Sequence, residues 1–87
     1  MLLKRLTEAA GIPGQETEIR NVIRSEVIGI ADEVRTDAIG NLIAYKAARK
    51  TRGRRPMDVP KVMLAAHMDE VGLMILSIEK SGLLRFG

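Results

Sequence analysis

The stretch Lys61–Gly72, K-V-M-L-A-A-H-M-D-E-V-G, constrains the fold more than any other part of this chain. Val62 to Ala66 run without a polar interruption, follow Pro60 and carry no 3.6-residue period. A short run of that kind suits a strand buried on both faces. His67 and Asp69 come next at spacing i, i+2, which on extended backbone points both side chains to one side. Open α/β sheets place their chemistry just past the carboxyl ends of buried strands. His67, the only histidine of the 87 residues, stands at such a place.

A neutral imidazole binds a transition metal through one ring nitrogen, while a carboxylate on the other N–H fixes tautomer and orientation. Asp69 is spaced to be that partner. A plainer reading makes His67 a partly buried strand-end histidine and Asp69 the first residue of a turn. H-x-D alone does not separate the two, because the pattern is common by chance.

The length allows one small domain with a modest core. A hydrophobic content of 46% and a charged content of 29% describe an ordinary globular protein. With no cysteine there is neither a disulfide framework nor a thiolate metal site. No apolar run is long enough to span a bilayer, and M-L-L-K-R-L-T-E lacks the apolar core of a signal peptide. The expected location is cytoplasmic, with no membrane partner. Scarce Gln and Asn (Gln15, Asn21, Asn41) beside plentiful Lys, Arg and Glu hint at a thermophilic source.

The net charge of +3 raises the question of nucleic acid. Lys46, Arg49, Lys50, Arg52, Arg54, Arg55 and Lys61 cluster, and such a patch could meet phosphates. Tyr45 and Phe86 are the only aromatics, however, so a stacking platform for single strands is missing. A solvated basic loop accounts for the cluster better.

Taken in order, Leu2, Leu3, Leu6 and Ala9–Ala10 follow helical spacing until Gly11 stops the pattern. Gly11-Ile12-Pro13-Gly14 reads as a turn. A second helix is expected from about Gln15–Thr17, with Glu16 and Glu18 suited to its positive end. Ile19, Val22, Ile23, Val27 and Ile30 form its apolar stripe. Arg20, Arg24 and Glu26 are expected on the outer face, and Gly29 ends the helix.

Asp32 to Thr36 and Leu42 to Tyr45 read as strands of a hairpin. In the turn between them Asp37 and Asn41 can bond nearby backbone, and Gly40 is free to take positive φ. Gly53, Pro56 and Pro60 block regular structure in the basic loop 46–60, which is expected outside the packed core. Beyond Asp69, Val71, Leu73 and Ile75 alternate with Gly72 and Met74, and the apolar run reaches Ile78. Lys80-Ser81-Gly82 turns the chain into a returning strand at Leu83–Phe86. Stopping at Gly87 would leave an unpaired apolar edge, so the chain is expected to be a piece of something longer.

The blocks A-G-I-P-G-Q-E, D-A-I-G-N-L-I-A, V-M-L-A-A-H-M-D-E-V-G-L-M and the closing L-R-F-G, in this order and spacing, resemble the N-terminal quarter of the tetrahedral (glutamyl or deblocking) aminopeptidases. Members of that family also carry the names endoglucanase and cellulase. The resemblance covers essentially the whole chain, and A-H-M-D-E-V-G is its most specific part.

It implies an α/β fold: the N-terminal part of an α/β/α metallopeptidase domain, with two helices, a hairpin and a buried central strand, over residues 1–70. Residues 71–87 would then be the first strands of an inserted β-barrel domain. It implies two divalent metal ions (zinc or cobalt), peptide substrates cleaved at the N-terminal residue, and a homo-oligomer, a tetrahedral dodecamer in the family. By motif, His67 matches a metal-ligand histidine, and Asp69 matches the catalytic-site aspartate that orients it. The Asp37–Asn41 turn would be structural, with a minor functional role left open by its closeness to the site.

A two-metal site needs a bridging carboxylate, more ligands and a carboxylate general base. Zinc sites use three or four protein ligands, and this chain offers one histidine with one partner carboxylate. Glu70 adjoins the motif without being a ligand in the family. The expected function is therefore the N-terminal portion of a metal-dependent aminopeptidase, inactive by itself. The alternative is a non-enzymatic assembly module or truncated relic, and after that a basic nucleic-acid-binding domain.

Overall fold

The computed structural model describes residues 1–49, 53 and 55–87. Of the basic loop, Lys50, Thr51, Arg52 and Arg54 lie outside the described residues. Two helices, α1 (Leu2–Glu8) and α2 (Thr17–Val27), lead into an antiparallel hairpin of β1 (Glu33–Thr36) and β2 (Leu42–Tyr45). A single 3₁₀ turn, Pro56–Asp58, follows, and the chain closes with a second antiparallel hairpin, β3 (Ile75–Ile78) and β4 (Leu84–Phe86). This is an α/β chain with two small sheets, each pairing only with itself among the described residues.

The helix α1 stops earlier than the glycine rule suggests. Ala9 is already extended (φ −70°, ψ 136°) and its N–H closes on the Arg5 carbonyl at 3.2 Å. Gly11 lies two residues further on and serves another purpose, described below. Ala9, just past α1, and Ile19 on α2 are the two buried apolar side chains among the described residues, at 6% and 4% exposed. Arg5 adds an ion pair to Glu26 and a bond to Ser25 Oγ.

Along α2 the apolar stripe holds for Ile19, Val22, Ile23 and Val27, while Ile30 falls in the turn after the helix and is exposed. The expected outer face needs correcting. Arg20 and Arg24 are half-buried because each finds an acceptor on the first hairpin. Arg20 Nε donates to the Gly40 carbonyl at 2.9 Å, and Arg24 Nη2 donates to Thr36 Oγ1 at 2.6 Å. An arginine stem can lie along a packed surface while its head satisfies a polar group.

The first hairpin has the register Glu33↔Tyr45, Val34↔Ala44, Arg35↔Ile43 and Thr36↔Leu42. Its turn follows from side-chain chemistry. The Asp37 carboxylate accepts from the Ile39 N–H (3.1 Å), the Asn41 N–H (2.8 Å) and Asn41 Nδ2 (2.8 Å). Gly40 takes φ +94°, a left-handed conformation that side chains resist. The second hairpin is bulged between Ile75 and Ser77 and turns at Gly82 (φ +86°). Its strand begins at Ile75, so the alternation read from Val71 is strand only in its second half.

The expected central strand, Val62–Ala66, is not a paired strand here. Its residues are exposed, Leu64 at 93%. A strand buried on both faces needs a neighbour at each edge and a layer above and below. Each hairpin pairs only its own two strands, and among the described residues no outer edge of either takes up this segment. The dimensions agree. The radius of gyration is 18.9 Å, against roughly 12 Å for a compact domain of this length.

Candidate metal centre

His67, Met68 and Asp69 are positioned by a glycine-containing loop on the far side of α2's start. The Glu70 N–H donates to the Gly11 carbonyl at 2.7 Å, and the Ile19 N–H donates to the Ala10 carbonyl at 3.3 Å. Gly11 is where these pieces touch. A Cβ added there would meet Ile19 Cγ2 at 2.9 Å and the Met68 carbonyl oxygen at 3.2 Å. Gly72 makes the second close approach, since its Cβ would fall 2.0 Å from Ile12 Cγ2. The loop Gly11–Gly14 and the segment 68–72 therefore form one junction, and both glycines are required by proximity rather than by turn geometry.

At the end of that junction His67 Nδ1 lies 3.0 Å from Asp69 Oδ1 and 2.9 Å from the Asp69 main-chain oxygen. Both partners are acceptors. An imidazole nitrogen facing two acceptors must carry the proton, so the neutral ring has its N–H at Nδ1 and its lone pair at Nε2. The ring side chain is 85% exposed, and that of Asp69 is 42% exposed. The arrangement is an imidazole oriented by a carboxylate, with the free nitrogen turned to open space. It is the form in which histidine serves as a metal ligand. The residues present fit one ligand position. Among the described residues no three His, Cys, Asp or Glu side chains gather into a metal-holding group.

His67 and Asp69 share a cleft of about 350 Å³ with Glu16 and with Ile39, Gly40, Asn41 and Leu42 from the first hairpin's turn. The sequence singled out His67, Asp69 and the turn, and the fold brings all three together. By sequence Glu16 is a helix-start acid and Arg20 an outer-face charge. Both in fact bracket the cleft. The Glu16 carboxylate accepts from the Gly14 N–H at 2.8 Å and lies 3.9 Å from Nη2 of Arg20, whose Nε donates to the Gly40 carbonyl. Glycines flanking both motif blocks, Gly11 and Gly72, were the one signal from which this junction could have been read. Glu70, beside the motif, spends its N–H on Gly11.

The bond pattern around Asp37 holds its carboxyl below its ordinary value. The Asn41 side chain is the largest cause; desolvation, the next largest, opposes it, and the main-chain N–H groups of Asn41, Ile39 and Gly40 add further lowering. The turn is thus electrostatically satisfied on its own, independently of anything in the cleft.

The chain is similar to known aminopeptidases over most of its length. The family model described as M42 glutamyl aminopeptidase matches residues 40–87, more than half of the chain, and a second model described as AMPT matches residues 1–23. A putative aminopeptidase of Acetivibrio thermocellus is 45% identical over 85 residues, 98% of this chain and 23% of that protein. A lysyl aminopeptidase of Pyrococcus furiosus is 40% identical over 85 residues, 97% of this chain and 22% of its own length. A glutamyl aminopeptidase of Lactococcus lactis is 31% identical over 83 residues, with shares of 95% and 22%. The chain thus spans less than a quarter of the length of these curated relatives. With its H-M-D-E-V-G segment inside the matched region, the chain belongs to the M42 glutamyl aminopeptidase family.

Proposed function

We propose that this chain is the N-terminal portion of a metal-dependent aminopeptidase that removes N-terminal residues from peptides, and that it supplies one ligand of the metal site without being active alone. The observation that carries the reading is the His67–Asp69 pair, in which Nδ1 faces two acceptors and the ring stays exposed, so that the neutral imidazole has its lone pair on Nε2. His67 would hold the metal through that nitrogen, and Asp69 would keep the ring in the required tautomer and orientation. Two divalent ions, zinc or cobalt, would supply Lewis-acid polarisation of the scissile carbonyl and a water of lowered pKa. The remaining ligands and the general base would come from polypeptide other than these 87 residues.

Residues 1–70 would belong to the peptidase domain and residues 71–87 to the start of an inserted β domain. Val62–Ala66 would then become a paired strand when the rest of a larger sheet lies beside it. The large apolar side chains left exposed at Val62, Met63 and Leu64, and again on β3 and β4, support such cover. Peptides are the proposed substrates, further copies of the same protein the proposed partners, and the cytoplasm the proposed location. No helix among the described residues is long and apolar enough to cross a membrane.

The test uses a polypeptide in which the remainder of a family member is joined after Gly87. Asp69→Asn should lower metal affinity or activity by roughly 10- to 100-fold while leaving the fold intact. His67→Ala should empty one metal position. Full metal occupancy in His67→Ala would overturn the assignment. The 87-residue chain itself should not cleave leucine or glutamate anilides with added zinc or cobalt. Turnover lost on His67→Ala would contradict that expectation.

A further inference from the structure

The cleft has two walls that belong to different parts of the chain. One is the His67–Asp69 segment, tied to the Gly11–Gly14 loop by the Glu70 N–H at 2.7 Å from the Gly11 carbonyl. The other is the Asp37–Asn41 turn. Glu16 at the N-cap of α2 and Arg20 one turn into the helix reach one wall each. Glu16 accepts the Gly14 N–H at 2.8 Å, and Arg20 donates to the Gly40 carbonyl at 2.9 Å. Their charged heads lie 3.9 Å apart, with side chains only 21% and 16% exposed. Arg20 Nη2 also occupies the space a Cβ on Gly40 would need, at 2.9 Å.

We infer that Glu16 and Arg20 are a positioning pair that sets the distance between the His67 segment and the Asp37–Asn41 turn, and thereby the width of the cleft beside the ligand histidine. The inference rests on the reading of His67 as a metal ligand for its functional meaning, but its geometry stands apart from that reading. The turn's own bonds, through Asp37, fix its internal shape and not where it sits. Placement depends on contacts toward α2: Arg24 holds the hairpin at Thr36, before the turn, and Arg20 to Gly40 is the hydrogen bond made to the turn itself. A guanidinium donating through Nε while a second nitrogen faces a carboxylate is directional in a way a lysine ammonium is not.

The experiment exploits the absence of cysteine from the sequence. A nitroxide attached to Ala66→Cys, an exposed residue of the same cleft, broadens the amide signals of residues near it. In the otherwise unchanged chain the Gly40 and Asn41 amides should be broadened. In Arg20→Ala most of that broadening should be lost, while the broadening of Met68 and Asp69 persists and the α2 amides keep their shifts. Arg20→Lys should restore it only in part, and Glu16→Gln should weaken it with Arg20 intact. Unchanged broadening at Gly40 and Asn41 in both Arg20→Ala and Glu16→Gln would overturn the inference. So would its absence in the parent.

Copper(II) added to the unlabelled parent chain tests the ligand reading separately, by broadening around Met68 that His67→Ala abolishes. Loss of that second effect sinks the ligand assignment and leaves the nitroxide result to decide the positioning pair.

Discussion

Replacing Gly11 by alanine should loosen the junction that carries His67. The new Cβ would stand 2.9 Å from Ile19 Cγ2 and 3.2 Å from the Met68 carbonyl oxygen. Ile19 has little room to yield. It is 4% exposed, and a β-branched side chain on a helix has one strongly preferred rotamer. The other neighbour is main chain, so relief requires the 68–70 segment to move and stretches the Glu70 to Gly11 hydrogen bond. Overpacking of this kind costs about 1–3 kcal/mol. The narrower unfolded ensemble of alanine offsets about 0.4–1 kcal/mol of it.

A net loss of about 0–2.6 kcal/mol remains, which at a slope near 1 kcal/mol per molar urea lowers the unfolding midpoint by up to about 2.6 M. Urea titration followed by circular dichroism at the helix band reads it. The control is Gly29→Ala, where nothing lies within 4 Å and φ is not left-handed. That variant should gain about 0.4–1 kcal/mol. A Gly11→Ala midpoint raised as far as that of Gly29→Ala would refute the close-packing argument.

Asp37 predicts a pH dependence with a definite sign. Its folded pKa lies below the ordinary 3.8, so its contribution to stability is fully present above that value and is lost as pH falls through the lower folded pKa. Amide titration of Ile39 and Asn41 should show this loss in the parent, and Asp37→Asn should abolish it. Arg55→Gln removes an exposed pair to Asp58 at 3.0 Å and should change stability by less than about 1 kcal/mol in urea titration. A larger loss would mean the basic loop is packed rather than solvated. Ile19→Ala, by contrast, empties a buried position against the Gly11 loop and should cost about 2–5 kcal/mol in the same assay.

Local chemistry was legible in the sequence where short-range rules decide the structure. The Asp37–Asn41 turn with Gly40 at positive φ, the hairpin around it, the turn at Gly82 and the His67–Asp69 pairing all depend on residues within a few positions of one another. What could not be read depends on distant partners. Arg20 looks like a surface charge on a helical wheel, and only the arrival of the Gly40 carbonyl twenty residues later draws it inward. Gly11 looks like a helix stop, though its role is set by Met68. Val62–Ala66 has the composition of a buried strand, but burial is a property of its neighbours, and the two hairpins of this chain do not provide them.

The central claim is that His67 offers Nε2 to a metal while Asp69 holds the proton on Nδ1. The most direct measurement is the nitrogen-15 spectrum of the His67 ring at neutral pH, recorded as zinc is titrated into the chain. With one histidine in the sequence the assignment is unambiguous. The account predicts a protonated Nδ1 from the start and a zinc-induced shift confined to Nε2. It also predicts that Asp69→Asn weakens that response. A proton on Nε2, or a zinc-induced shift at Nδ1, would contradict it.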